Sequence, residues 1–79
     1  MSTFTIGRFI YKEHKETFGQ RLKRMRKAKG LTQTELAKKM GVSHVSISMY
    51  ENDIEHPKVV SLEWLCQALG VTATELLGF

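Results

Sequence analysis

The sequence predicts an all-α domain, a compact five-helix bundle preceded by a short arm or strand. Three observations predict it. Apolar residues recur at helical spacing from Phe18 to Leu77. Thr17, Thr32 and Thr72 are each followed three residues later by Gln or Glu, the mark of a capping box. Gly30, Gly41, Gly70 and Gly78 stand where the apolar stripes stop, as helix-ending glycines do.

Taken in order, residues 1–15 stand apart from the rest. Phe4, Ile6, Phe9, Ile10 and Tyr11 form a β-leaning stretch interrupted by Gly7, with no helix start signal. A short strand or ordered arm is expected there, and an isolated strand would need a copy of itself in a dimer as its partner. Residues 16–79 are expected to form the helical domain. Thr17 with Gln20 opens the first helix, whose Phe18, Leu22 and Met25 make an i, i+4, i+7 stripe ending at Gly30. Thr32 with Glu35 opens the second, with Leu36, Ala37 and Met40 inward and Gly41 at its end. Ser43 can cap the third, in which Ile47 and Tyr50 are the buried pair. "NDIEHP", residues 52–57, reads as a turn, and Pro57 bars helix continuation. A fourth helix is expected from Ser61, with Leu62, Leu65, Cys66 and Leu69 on one face and Gly70 as its stop. Thr72 with Glu75 opens a short fifth helix that ends at Leu77 and Gly78.

A 42% apolar share is too high for a disordered chain, and 79 residues suffice for one domain. Cys66 is the single cysteine, so an internal disulfide is impossible, and no Cys/His spacing suggests zinc. It reads as a small hydrophobe suited to a reducing compartment. No secretory leader and no membrane-length apolar run are visible, so a cytoplasmic protein is expected. Charge is unevenly spread. Residues 1–40 hold eleven Lys/Arg against three Asp/Glu, and residues 41–79 hold one against five. Between residues 17 and 34 lie Arg21, Lys23, Arg24, Arg26, Lys27 and Lys29 with no acid. A solvated helix face is the plain reading of such a run. Six like charges on one short helix repel each other, and an anionic partner gives a reason to keep them. DNA, RNA and an anionic membrane surface all fit this one feature.

Residues 33–50 meet a more specific set of demands. Two short helices that cross steeply need a small residue at the crossing, a turn residue tolerant of φ > 0, and apolar pins in both helices. Counted from Gln33, Ala37 is the small fifth residue and Gly41 the ninth. Leu36, Met40, Ile47 and Tyr50 are pins at the fourth, eighth, fifteenth and eighteenth places. All six positions agree with a helix-turn-helix.

"RLKRMRKAKGLTQTELAKKMGVSHVSISMYEND" resembles the DNA-binding domain of the Cro/cI-type (XRE-like) phage repressors. The resemblance spans residues 17–77, including the "LCQALGVTATELL" tail, and excludes the first fifteen. It implies a lambda-repressor-like five-helix domain that binds double-stranded operator DNA as a symmetric homodimer. It also implies that Arg26 and Glu51 form an ion pair tying the first helix to the end of the third, rather than standing as two unrelated surface charges. Family dimer contacts fall here on Val71, Ala73, Glu75 and Phe79, and Ala73 and Glu75 make a poor apolar patch. The N-terminal arm is the expected replacement. Trp64 lies off the main core stripe and is expected to cover that arm or to join a dimer contact.

If Ile47 and Tyr50 face inward, Ser43, His44, Val45, Ser48, Met49 and Asn52 share the opposite side of the third helix, the side a major groove can admit. Ser43, His44, Val45, Ser48 and Met49 are the expected base-reading residues. Val45 has no polar group, so a thymine methyl is its specific contact, and Met49 can act likewise. The plain alternative is that both are surface or dimer residues. No amide stands at the centre of the face, so DNA shape is expected to contribute to selectivity. Thr32 and Gln33, at the start of the second helix, are expected to hold phosphate with Asn52 and Lys58, and His56 is a further candidate. Gln33 also fits a simple helix-start residue. Arg21, Lys23, Lys27 and Lys29 are expected to supply a long-range positive field.

The function expected is a transcriptional regulator, a phage or prophage repressor on a palindromic operator. An antitoxin or a restriction-modification controller protein uses the same domain. A protein-interaction module, with the basic helix meeting an acidic partner, is the reading from another class. No nucleophile–base set, paired carboxylates, metal-ligand cluster or glycine-rich phosphate loop is visible, so no enzyme, cofactor, metal or small-molecule substrate is expected.

Overall fold

A computed structural model describes residues 16–79 of the chain. The arm or strand expected in residues 1–15, and its role in a dimer, lie outside the described residues. Five helices follow in order: α1 (Phe18–Ala28), α2 (Gln33–Met40), α3 (His44–Glu51), α4 (Val59–Leu69) and α5 (Ala73–Leu77). There is no strand among the described residues.

Local chemistry starts and stops the helices. At α1 the Thr17 hydroxyl accepts from the Gln20 amide (3.1 Å) while Gln20 Oε1 accepts from the Thr17 amide (2.9 Å). Reciprocal pairs of the same kind link Thr32 with Glu35 and Thr72 with Glu75. Each box satisfies two amides that the first helical turn leaves without partners. Gly41, Gly70 and Gly78 end α2, α4 and α5 in the left-handed region.

α4 begins at Val59, two residues before the expected Ser61. Pro57 is buried, and Lys58 after it is extended (φ −73°, ψ 169°), so the turn ends there and Lys58 becomes the N-cap. The Leu62 amide donates to the Lys58 carbonyl at 2.8 Å, closing the first turn. A lysine side chain supplies no cap bond, which is why the sequence signal fell on Ser61 instead.

Leu22, Leu36, Ile47, Leu65, Leu69 and Leu76 are fully buried, one or two from each helix, with Ala37 and Met40 beside them. Burying each large aliphatic side chain is worth roughly 1.5–3 kcal/mol. α3 packs on both α1 and α2, α4 packs on α2, and α5 closes the bundle against α1 and α4. Phe18, Met25, Leu62 and Cys66 pack on the core while partly exposed. Tyr50, expected to be buried with Ile47, is also only partly buried at the core's edge. No described helix is long and apolar enough to cross a membrane.

Candidate nucleic-acid interface

α2 and α3 are joined by Gly41, Val42 and Ser43. Gly41 takes φ 72°, ψ 29°, which lets the Val42 amide turn back to the Ala37 carbonyl at 3.0 Å. Ser43 then caps α3, its hydroxyl accepting from the Ser46 amide at 3.4 Å. Ala37 is 2% exposed. Its single methyl gives α2 a small side chain in the core that α3 joins.

A buried polar network fixes the angle between the helices. Arg26 forks onto Glu51, Nε to Oε2 and Nη2 to Oε1 (3.1 Å), and both residues are buried. Arg26 Nη1 donates to the Leu31 carbonyl at 2.8 Å, holding the loop between α1 and α2. Gln33 Nε2 donates to Glu51 Oε1 at 3.0 Å. One carboxylate at the end of α3 thus ties α1 and the start of α2, and its partner Arg26 holds the loop between them. A buried charge keeps its place only when so paired and hydrogen-bonded.

A second set of contacts joins the end of α3 to the start of α1. Asp53 has φ 57°, and its carboxylate accepts from the Thr17 hydroxyl (2.7 Å) and the Gly19 amide (2.9 Å). These bonds, the hydroxyl's first, hold the Asp53 carboxyl below its ordinary pKa, with His56 adding a smaller effect of the same sign. The backbones approach so closely that a Cβ on Gly19 would lie 2.4 Å from the Glu51 carbonyl oxygen. Neither Gly19 nor Asp53 was singled out from sequence. Their signals were a glycine in the first turn of a helix and an Asn-Asp pair after one, since Asn and Asp tolerate left-handed backbone.

With Ile47 and Glu51 inward, the opposite side of α3 presents Val45, exposed, and Met49, partly exposed, with Ser48 partly exposed at its flank; His44, three residues before Ile47, is exposed in the first turn. Val45 is 52% exposed. Val45, Ser48, Met49 and Asn52 fall at i, i+3, i+4 and i+7, one stripe of one helix. Ser43 belongs to the cap and spends its hydroxyl on Ser46. Asn52 Nδ2 is engaged with the Ser48 carbonyl (2.8 Å) and hydroxyl (3.3 Å), which stiffens the end of this stripe. At the start of α2, Thr32 is held in its box and Gln33 by Glu51, while the Gln33 and Thr34 backbone amides have no hydrogen-bond partner among the described residues. Lys58, the N-cap of α4, is exposed. His56 lies with its ring 4.6 Å from that of Phe18, and its Nδ1 is 3.0 Å from the Pro57 carbonyl.

The basic run of α1 is not one uniform field. Arg21 Nη1 donates to the Leu77 carbonyl and Nη2 to the Glu16 carbonyl, both at 3.3 Å, so Arg21 closes the end of α5. Arg24 forks onto Glu16 at 2.7 and 3.0 Å. Arg26 is buried in the network above. Lys23, Lys27 and Lys29 are exposed. Among the described residues, no group of three or more His, Cys, Asp or Glu is arranged to hold a metal ion.

Two packed helices joined by a three-residue turn, the second with one face locked inward and a small-residue face outward, define a helix-turn-helix protein. A helix-turn-helix family profile matches residues 22–76, and the chain belongs to that family, in its Cro/cI-type branch. The immunity repressor protein of Bacillus phage phi105 is 37% identical over 62 residues, covering 78% of this chain. The chain spans 43% of that repressor's length, less than half. Among solved structures, the P22 c2 repressor in complex with a synthetic operator superposes with a TM-score of 0.75 at 33% identity, over 80% of this chain and 96% of that one. The restriction-modification controller protein C.AhdI from Aeromonas hydrophila gives 0.72 at 36% identity, over 75% and 89%.

Proposed function

We propose that this protein is a sequence-specific, double-stranded-DNA-binding transcriptional regulator, a phage or prophage repressor that binds a palindromic operator as a homodimer. One observation carries the reading. The Arg26–Glu51–Gln33 network and Ile47 hold one face of α3 inward, leaving Val45, Ser48 and Met49 outward on a helix of fixed orientation. A major groove admits a helix of this kind, and the likeness to the operator-bound P22 c2 repressor supports it. In this reading His44, Val45, Ser48 and Met49 meet base edges, with Ser43 at the entry of the helix. The Gln33 and Thr34 amides, the Thr32 cap and Lys58 face phosphates. Asn52 reaches a phosphate only by releasing Ser48. The protein works in the cytoplasm, where its DNA is, and performs no catalysis.

The likeness to C.AhdI favours a second reading, a restriction-modification controller, which shares the same interface. Selection of duplexes from a random pool tests the DNA-binding reading. Two inverted half-sites centred about 10 bp apart are expected. A pool with no enriched sequence overturns it.

A further inference from the structure

The outward stripe of α3 ends on a side-chain contact that bears on what Ser48 can read. Asn52 Nδ2 lies 2.8 Å from the Ser48 carbonyl oxygen and 3.3 Å from its hydroxyl oxygen. A carbonyl only accepts, so the group facing it is the NH2 of the carboxamide, and that fixes which way the amide is turned. Its two hydrogens go one to each oxygen. The Asn52 backbone amide donates to the same carbonyl at 3.0 Å, which anchors the residue that carries the carboxamide.

Ser48 Oγ thus receives a hydrogen bond from within its own helix. Among the described residues no group accepts its proton. A hydroxyl has one proton and two lone pairs, and Asn52 takes up one lone pair. Donation into the oxygen also polarises the O–H bond and makes it a stronger donor. We propose, building on the reading of α3 as the helix that enters the major groove, that Asn52 is a positioning residue. It presets the Ser48 hydroxyl as a donor to the DNA, so that Ser48 selects against cytosine on the strand it faces. In the major groove guanine offers N7 and O6 as acceptors, adenine N7 and thymine O4, whereas cytosine offers only its N4 donor. Two donors set against each other both lose a partner. The same geometry argues against Asn52 as a phosphate clamp. The atom left free on its carboxamide is Oδ1, an acceptor like the phosphate oxygens.

Duplex selection with the full wild-type chain, Ser48→Ala, Asn52→Ala and the double variant tests this. Ser48→Ala locates the base position that Ser48 faces, the one at which preference changes. There the wild-type protein is expected to disfavour C about tenfold against the other bases. Asn52→Ala is expected to reduce that to about threefold, to leave preferences elsewhere alone, and to add nothing once Ser48 is replaced. Equal exclusion of C with and without Asn52 overturns the proposal. So does an Asn52→Ala variant that weakens binding to all sequences alike, which is the behaviour of a phosphate clamp. If Ser48→Ala changes no position, the proposal fails while the DNA-binding reading stands. A wild-type pool with no enriched sequence removes both. Should Asn52→Ala not fold, the wild-type protein decides with adenine at the located position exchanged for 7-deazaadenine, which keeps the N6 donor and lacks the N7 acceptor. Affinity is expected to drop about tenfold, and unchanged affinity overturns the donor assignment.

Discussion

In the proposed interface Val45 offers a base pair only methyl groups, and half its surface is open to solvent. Replacing it with Ser should relax the preference for T at one position of each half-site, costing on the order of 1 kcal/mol of discrimination there. The melting temperature should not move. A variant that binds all sequences equally weakly, with the T preference kept, contradicts this. Glu51 is the opposite kind of residue, buried and bonded to both Arg26 and Gln33. Removing one partner strands the other charge, so Arg26→Ala or Glu51→Ala should destabilise by ~3–5 kcal/mol, read from urea midpoints. Loss of operator binding at unchanged stability would count against that assignment. Gln33→Ala leaves the Arg26–Glu51 fork intact and should lower stability less. The pair was legible only through family resemblance, because a salt bridge across twenty-five residues leaves no local mark. Gln33 shows the limit of such reading. Its place at a helix start suggested phosphate, and the bond to Glu51 depends on the fold.

At the scale of the helix, the capping boxes of α1, α2 and α5 and the glycine stops were legible because both are local. The start of α4 was not, since Lys58 caps with backbone alone. The clasp between the end of α3 and the start of α1 was equally hidden, because Asp53 and Thr17 meet only after the bundle closes. This clasp makes a prediction about acid. In the folded protein the Asp53 carboxyl titrates below its ordinary value of 3.8. Above that value the group is ionised in both states and its stabilising effect is fully present. As pH falls through it towards the lower folded-state value, the unfolded chain takes up the proton first and stability is lost. Glu16, held down chiefly by Arg24, and Glu75, held down chiefly by the Thr72 amide, act in the same direction. Urea midpoints should therefore fall between about pH 5 and pH 2, and less steeply in Asp53→Asn. An equal slope in the variant would place the acid sensitivity elsewhere.

For the whole molecule, the charge asymmetry seen in the sequence survives folding in altered form. Arg21, Arg24 and Arg26 are tied to their own chain, and the exposed lysines of α1 and α2 remain for long-range attraction. Affinity for the selected duplex should fall linearly in log salt, by about 0.9 per phosphate neutralised. Lys58→Ala should reduce that slope by about one without altering sequence preference. An unchanged slope would remove Lys58 from the phosphate contacts. The fold class was legible because helices joined by short loops admit few packings. The division of α3 has a consequence for how such a protein changes over time. The residues that hold the helix in place, Ile47 and Glu51, are separate from those that face outward. New vocabularies can therefore be written on the outer stripe one letter at a time, and duplicated copies can drift towards different operators while each still folds.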